Sequence, residues 1–277
     1  MKKNKFAIIG NPLSHSLSPI MHNYWLNKYN INAEYELLEI EEKEIENVIN
    51  KIKDKEIMGI NVTLPYKKSV IPFLSKTIND ANETHSVNTI MLDENHSLIG
   101  ENTDVFGFQA AYLKSISNQE KKNKKVLILG AGGVAPSIIL AFLKSNILNI
   151  SITNRTYEKS LFLKKKFNSI KIIKWDECAS QFGKFDIVVN ATSLGLQSSD
   201  EFNIDFSAFK RSMIFIDTIY NPSQTKMIKY FKSKNIRSYN GINMFIYQGQ
   251  KSFYLWNKIN PEIDDDLIKL LESKLDK

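Results

Sequence analysis

A glycine-rich turn in the middle of the chain most constrains what it can fold into. The apolar run Lys125–Gly130 has the continuous hydrophobicity of a strand buried in a parallel sheet. It leads directly into Gly130-Ala-Gly-Gly and then into an apolar segment with helical spacing near Pro136. Proline suits a first helical turn, where no N–H is needed. The sequence therefore predicts a strand, a tight turn and a helix in succession.

The same turn predicts a site for a dinucleotide. Glycines let backbone N–H groups approach a pyrophosphate at the start of a helix. The pattern here is Gly-x-Gly-Gly-x-Ala rather than the strict fingerprint, so a purely structural turn is the alternative. Since a strand precedes it and a helix follows, we favour dinucleotide binding. The turn comprises Gly130, Ala131, Gly132, Gly133 and Val134.

The end of the next strand indicates which dinucleotide binds. An NAD site usually has Asp or Glu about 20 residues after the glycines. This strand ends instead in Asn154-Arg155-Thr156, with Lys159 one turn later. A carboxylate would repel a 2′-phosphate, whereas these side chains would bind it. Arginine is scarce, with three in the chain, so the sequence predicts NADP.

Strands and helices alternate along the whole chain, which predicts an α/β fold with a doubly wound sheet in its second half. Predicted strands span residues 5–10, 34–40, 57–62, 87–92, 125–130, 149–154, 170–175, 185–191, 213–218 and 236–239. Predicted helices span residues 20–29, 41–53, 104–113, 242–257 and 261–275, the last with Pro261 at its start. The polar stretch Ser115–Lys125 is expected to join two domains.

Length and composition exclude several classes of protein. At about 150 residues per domain, 277 residues predict one large domain or two small ones. One Cys allows no internal disulfide, and no apolar run reaches the roughly 18 residues of a membrane span. We therefore expect a cytoplasmic protein that does not contact a membrane.

The net charge of +7 could indicate a nucleic-acid partner. The excess is confined to residues 105–239, which carry 21 basic and 9 acidic side chains. Nearly all the basic residues are Lys, which lacks the fork that reads bases. We expect a solvated surface and no nucleic-acid binding.

Three polar segments in the first hundred residues follow strands or precede helices. They contribute Ser16 and Ser18, then Asn61, Thr63 and Lys67, and finally Asp104. Each has an ordinary structural explanation, because Ser and Asp cap helices and Lys is common on surfaces. Together they supply the hydroxyl, amide and charged groups that would bind a small polyhydroxy carboxylate. A Lys beside a carboxylate can also transfer a proton.

Metal and thiol chemistry are not predicted. The four histidines, His15, His22, His85 and His96, show no ligand spacing. Cys178 has no partner in the sequence that would activate it. We expect no metal site.

Taken together, the motifs resemble those of the shikimate dehydrogenase family, in order and over nearly the whole chain. They are His15-Ser16-x-Ser18-Pro19, Asn61-Val-Thr63-x-Pro65-x-Lys67, Val87-Asn88-Thr89, Asn102-Thr-Asp104-x-x-Gly107, Gly130-Ala-Gly-Gly133, Asn154-Arg155-Thr156, Asn190-Ala-Thr192-Ser193, Asp217-x-x-Tyr220-x-Pro222-x-x-Thr225 and Gly241-x-x-Met244-x-x-x-Gln248. Their shared order is more specific than any one of them.

The resemblance implies reversible, NADP-dependent reduction of 3-dehydroshikimate to shikimate, on the route through chorismate to aromatic amino acids. It implies a substrate domain at residues 1–104 plus 240–277, with the C-terminal helices returning to it. A Rossmann-like NADP domain would occupy residues 105–239. The protein would act on a small molecule as a monomer or homodimer.

The resemblance also implies roles for individual residues. Lys67 and Asp104 would form the catalytic pair. The substrate carboxylate would bind Ser16, Ser18, Thr63 and Tyr220, and the ring hydroxyls would bind Asn61, Asn88 and Gln248. The pyrophosphate would be cradled by Gly130, Ala131, Gly132, Gly133 and Val134. Asn154, Arg155, Thr156 and Lys159 would hold the 2′-phosphate, and Thr192, Gly241 and Met244 would line the nicotinamide side.

Two alternatives remain open. One is an enzyme of the same family that acts on quinate or uses NAD. The other is a non-catalytic regulatory protein that keeps the fold. The presence of both Lys67 and Asp104 favours an enzyme.

Overall fold

The computed structural model describes residues 3–197, 200 and 205–275, and these form two compact units. The first unit runs to Gly107 and resumes at Ile246, so most of the C-terminal helical part of the chain belongs to it. The second unit spans Phe108–Phe245. The sequence placed the corresponding boundaries after residues 104 and 239.

The described residues contain twelve strands and eleven α-helices. The strands are β1 (Asn4–Gly10), β2 (Ala33–Glu39), β3 (Gly59–Val62), β4 (Lys76–Thr77), β5 (Thr89–Leu92), β6 (Leu98–Glu101), β7 (Lys125–Leu129), β8 (Asn149–Thr153), β9 (Lys171–Ile172), β10 (Ile187–Asn190), β11 (Ile214–Asp217) and β12 (Arg237–Tyr239). The helices are α1 (Ser18–Lys28), α2 (Ile45–Lys53), α3 (Asp80–Thr84), α4 (Asp104–Phe108), α5 (Asn118–Lys121), α6 (Ala135–Lys144), α7 (Tyr157–Lys166), α8 (Cys178–Gln181), α9 (Lys226–Ser233), α10 (Ile242–Asn257) and α11 (Asp265–Glu272).

The first unit is built on a mixed sheet of order β2-β1-β3-β5-β6-β4. β1 pairs in parallel with β2 and β3, while β5 runs antiparallel to both β3 and β6. Helix α2 buries Ile45, Val48, Ile49 and Ile52, which share one face at helical spacing. Burying side chains of this size contributes roughly 1.5–3 kcal/mol each, so this face anchors α2 on the sheet.

The second unit is built on a parallel sheet of order β12-β11-β10-β7-β8-β9. The strand order reverses between β7 and β10, which makes their carboxyl ends a topological switch point. In β7 the residues Val126–Leu129 are fully buried, as the continuous apolar pattern predicts for a parallel sheet. The predicted α/β fold with a Rossmann-like doubly wound unit is confirmed.

Local predictions differ from the structure in several places. β4 and β6 were not predicted, because β4 has two residues and β6 has two apolar residues followed by Gly100 and Glu101. The helix predicted over residues 104–113 is α-helical only to Phe108 and continues as a π-helix over Gln109–Leu113. The prediction that Pro261 opens the last helix is wrong: α11 begins at Asp265, and the Asp264 side chain accepts the N–H of Leu267 at 2.9 Å.

Candidate active site

Strand pairing brings the polar segments of the first unit to one edge of its sheet. Asn61, near the carboxyl end of β3, pairs with Thr89 at the start of β5, which pairs with Glu101 at the end of β6. The segments that follow β3 and β6 and the one that precedes β5 therefore lie side by side. These segments carry most of the residues that the sequence singled out in this unit.

Lys67 and Asp104 form an ion pair at this edge. The Lys67 Nζ lies 2.6 Å from Asp104 Oδ2. The two side chains are only 13% and 7% exposed, so little water screens their attraction. An ammonium group held in this way at a carboxylate is placed to exchange a proton with a bound molecule.

Asn88 fixes the orientation of the Asp104 carboxylate. Its Nδ2 donates to Asp104 Oδ1 at 2.9 Å, so the two carboxylate oxygens have different partners. The Asn88 Oδ1 in turn accepts the Thr103 N–H at 2.8 Å. Gln248 Oε1, on α10, lies 3.5 Å from the Asn88 Nδ2. Lys67, Asn88, Asp104 and Gln248 are thus brought together as one polar group.

Asn61 is buried to a similar degree, with 5% of its surface exposed against 3% for Asn88 and 5% for Asp104. Its Nδ2 donates to the Asn88 carbonyl at 3.0 Å, the Thr89 hydroxyl at 3.2 Å and the Ser252 hydroxyl at 3.1 Å. Its Oδ1 accepts the Tyr35 hydroxyl at 2.8 Å. The amide therefore connects β2, β3, β5 and α10 behind the polar group.

Ser16 and Ser18 lie where the chain passes from β1 into α1. Ser18 is the first residue of the helix rather than its cap, and its N–H donates to the Ser16 hydroxyl at 3.3 Å. The Leu13 N–H donates to the Glu39 carboxylate at 2.7 Å, which fixes the preceding loop.

Thr63 packs against the end of β1. A Cβ on Gly10 would lie 2.5 Å from the Thr63 Cγ2, so only glycine allows this approach. Ser16, Ser18 and Thr63 are therefore carried by neighbouring segments of the same edge.

The glycine-rich turn of the second unit lies at the switch point between β7 and β10. Gly130 has φ +103°, and a Cβ there would lie 2.6 Å from Thr192 Cγ2 and 2.9 Å from the Ala191 carbonyl oxygen. Glycine is required on both counts. Helix α6 follows without a side-chain cap at Val134, which suits a helix start that receives an anion.

Asn154 connects this turn to the basic segment after β8. Its Oδ1 accepts the Ala131 N–H at 3.0 Å, and its Nδ2 donates to the Thr156 carbonyl at 2.8 Å. Arg155, Thr156 and Lys159 are exposed beside it. The predicted pyrophosphate and 2′-phosphate residues therefore occupy adjoining strand ends, a geometry that fits a dinucleotide phosphate.

The other predicted cofactor residues follow β10 and β12 at the same edge. The Thr192 hydroxyl donates to Asn190 Oδ1 at 2.7 Å, Gly241 precedes α10, and Met244 is buried on that helix. Tyr220, predicted to bind the substrate carboxylate, belongs to this second unit and stacks on Phe245 with ring centroids 4.6 Å apart.

Sequence reasoning assigned no role to several buried polar residues, although Asp217 stands in one of the quoted motifs. Asp217 is buried at the end of β11, where it accepts hydrogen bonds from Asn190 at 2.9 Å and Thr225 at 2.7 Å. Burial raises its pKa to about 6. Its position at the end of an apolar strand was the available signal. For Tyr35 and Ser252 no such signal was available, because the residue that they bind, Asn61, is distant along the chain.

The structure also bears on metal and thiol chemistry. Within residues 3–197, 200 and 205–275, no cluster of three or more His, Cys, Asp or Glu could hold a metal ion. Cys178 is buried, and burial raises its pKa to about 12, so the thiol stays protonated at neutral pH. In the part of the chain that the structure describes, no helix is long and apolar enough to cross a bilayer.

Known proteins provide an independent comparison. The family model described as the shikimate dehydrogenase substrate binding domain matches residues 8–90, and the shikimate / quinate 5-dehydrogenase model matches residues 112–233. The shikimate dehydrogenase (NADP(+)) of Pelagibacter ubique (strain HTCC1062) is 47% identical over 270 residues, covering 98% of this chain and 99% of the relative.

Solved structures agree with this sequence comparison. Shikimate dehydrogenase from Aquifex aeolicus is 30% identical, with a TM-score of 0.88, covering 99% of this chain and 98% of the other. The enzyme from Thermus thermophilus, solved with NADP(H) and shikimate, is 26% identical, with a TM-score of 0.87 and coverage of 98% and 100%. The predictions of the family and of an oxidoreductase are confirmed, and the chain belongs to the shikimate dehydrogenase family.

Proposed function

We propose that this protein interconverts shikimate and 3-dehydroshikimate with NADP as its cofactor. The observation that carries the proposal is the Lys67–Asp104 pair, with the Asp104 carboxylate oriented by Asn88. A ketone reductase needs a proton donor fixed beside the reacting oxygen. Support also comes from the relative in Pelagibacter ubique, named for NADP(+), and from the Thermus thermophilus enzyme solved with NADP(H) and shikimate.

Lys67 and Asp104 divide the proton chemistry. During reduction the Lys67 ammonium gives a proton to the oxygen of the substrate carbonyl, and during oxidation its amine takes that proton back. Asp104 holds the Lys67 Nζ at 2.6 Å and so fixes its position. NADPH, when bound, supplies the hydride for the carbonyl carbon.

The remaining residues of the first unit bind and orient the substrate in this proposal. The hydroxyls of Ser16, Ser18 and Thr63, with Tyr220 from the second unit, hold the carboxylate. The side-chain amides of Asn61, Asn88 and Gln248 hold the ring hydroxyls. Asn88 thereby contacts both the substrate and the catalytic carboxylate.

The second unit holds the cofactor. Gly130–Val134 cradle the pyrophosphate at the start of α6, and Asn154, Arg155, Thr156 and Lys159 bind the 2′-phosphate. Thr192, Gly241 and Met244 line the nicotinamide side. Glycine at position 130 supports this assignment, because it lets the turn pass close to Ala191 and Thr192 at the switch point where dinucleotide phosphates bind.

We further propose that the reaction runs toward shikimate in aromatic amino acid biosynthesis, in the cytoplasm. Residues 1–104 plus 240–277 would serve the substrate and residues 105–239 the cofactor. The protein would work as a monomer or homodimer.

The test is a matrix of initial rates in which shikimate and quinate are each combined with NADP and NAD. We expect shikimate with NADP to give the highest kcat/KM. A preference for quinate or NAD would replace the substrate or cofactor assignment with that alternative. No turnover in any combination would favour a non-catalytic protein.

A further inference from the structure

The buried face of α1 holds a tyrosine against a residue of the proposed substrate site. Tyr35 lies on β2 and is 3% exposed. Its backbone N–H donates to Asn23 Oδ1 at 2.8 Å, and Asn23 Nδ2 donates back to the Tyr35 carbonyl at 2.9 Å. β2 is the outermost strand of its sheet, so its backbone groups on one side have no partner strand. The Asn23 side chain satisfies two of them, the N–H and the C=O of Tyr35.

His22, the neighbour of Asn23 on α1, holds the aromatic ring of Tyr35. The two rings stack with centroids 4.3 Å apart and an interplanar angle of 3°. His22 is fully buried, and among the described residues neither of its ring nitrogens has a hydrogen-bond partner. Burial lowers its pKa to about 3, so the imidazole is neutral and contributes a flat surface rather than a charge.

Because the ring and the backbone of Tyr35 are both held, its hydroxyl has a fixed position. That hydroxyl donates to Asn61 Oδ1 at 2.8 Å. The Asn61 Nδ2 consequently faces three acceptors, the carbonyl of Asn88 and the hydroxyls of Thr89 and Ser252, at 3.0–3.2 Å. Two N–H groups serve three acceptors, so one N–H is shared, and Oδ1 keeps a second lone pair. Both N–H groups of Asn61 are therefore engaged within the protein, and the second lone pair of Oδ1 is the group that a substrate hydroxyl can use.

We propose that Tyr35 is a positioning residue, which acts through its hydrogen bond to Asn61 to hold that amide ready for a ring hydroxyl of the substrate. This inference rests on the proposed function, in which Asn61 binds shikimate. Tyr35 itself does not touch the substrate. Without the hydroxyl, the buried Asn61 oxygen loses its donor and the amide can turn.

The test compares Tyr35→Phe with Tyr66→Phe. Tyr35→Phe keeps the ring and its stack on His22 and deletes one hydroxyl. Tyr66 is a matched control in the same unit, since it is 4% exposed and its hydroxyl donates at 2.7 Å to the carbonyl of Ile40, outside the polar group. Both variants lose one buried hydrogen bond, so thermal unfolding should respond similarly in both.

We expect Tyr35→Phe to raise the KM for shikimate about tenfold, which corresponds to about 1.4 kcal/mol. The KM for NADP should stay within about twofold of wild type, because NADP is held by the other unit. Tyr66→Phe should leave both KM values within about twofold. Shikimate KM values that are equal in the two variants would overturn the proposal, since they would show that only fold stability is affected.

The Asn61→Ala background tests the route of the effect. If Tyr35 acts through Asn61, adding Tyr35→Phe to Asn61→Ala changes the shikimate KM by less than about twofold. A further tenfold rise would overturn that route. If Asn61→Ala does not fold, the comparison of Tyr35→Phe with Tyr66→Phe decides alone. A wild-type protein without shikimate turnover would overturn the proposed function and this inference with it, whereas an active wild type with an unaffected Tyr35→Phe would overturn only the inference.

Discussion

Lys67 and Asp104, 37 residues apart in the chain, meet in an ion pair of 2.6 Å at one edge of the first unit's sheet. The pairing of β3 with β5 and of β5 with β6 brings their segments together. Asn88, which immediately precedes β5, binds the other oxygen of the same carboxylate. The sheet thus fixes the relative position of the proposed proton donor, its carboxylate partner and the amide that orients that carboxylate.

Replacing Asn88 tests whether the orientation of Asp104 matters. Asn88→Ala removes the donor to Asp104 Oδ1, so we expect kcat for shikimate oxidation to fall about tenfold or more. Asn82→Ala is the control, an exposed asparagine of the same unit. Steady-state kinetics on both variants check this. An unchanged kcat in Asn88→Ala would mean that the Lys67 contact alone orients the carboxylate.

Arg155 tests the choice of cofactor. It is exposed after β8, beside Asn154, which binds the glycine-rich turn. Arg155→Ala should raise the KM for NADP about tenfold and leave that for NAD nearly unchanged, because only NADP carries the 2′-phosphate. Arg211→Ala, an exposed arginine elsewhere in the unit, should change neither. If Arg155→Ala keeps the wild-type preference for NADP over NAD, Arg155 does not bind the 2′-phosphate.

His22 predicts how stability depends on pH. Its pKa is about 3 when folded, below the ordinary value of 6.5, so between these values the unfolded chain binds the extra proton. The contribution of neutral His22 to the free energy of unfolding is complete above pH 6.5. It is lost as the pH falls toward 3, at about 1.4 kcal/mol per pH unit. Urea unfolding across this range measures it.

Asp217 acts in the opposite direction. Its folded pKa of about 6 lies above the ordinary 3.8, so its contribution raises stability as the pH falls between those values.

The comparison of wild type with His22→Phe isolates the effect of the histidine on stability, since both proteins keep Asp217. The stability of wild type relative to His22→Phe should decline below pH 6.5. Parallel curves for the two proteins would mean that His22 is not buried in its neutral form.

Patterns within single segments were sufficient to predict most of the fold. The apolar run of β7 and the glycines after it predicted the doubly wound sheet, because burial on both faces and a tight turn leave a local signature. β4 and β6 left no such signature, since β4 has only two residues and the two apolar residues of β6 are followed by Gly100 and Glu101. The start of α11 was misplaced because Pro261 gave a stronger start signal than the cap at Asp264.

The candidate site was predictable where functional side chains share short motifs. Lys67 and Asp104 stand in such motifs, and the structure brings them into contact. Tyr35 and Ser252 could not be found in this way, because their hydrogen bonds to Asn61 span 26 and 191 residues and depend on strand order and helix placement. A single sequence contains no direct record of those distances.

The most direct test of the account is kcat for shikimate oxidation with NADP, measured for wild type, Lys67→Ala and Lys68→Ala. Lys68 is the exposed neighbour of Lys67 and serves as its control. We predict that wild type and Lys68→Ala turn over alike, and that Lys67→Ala loses roughly 10²–10⁴-fold in kcat with a smaller change in KM, the range for a lost acid–base group. An inactive wild type, or a Lys67→Ala variant with wild-type kcat, would contradict the account.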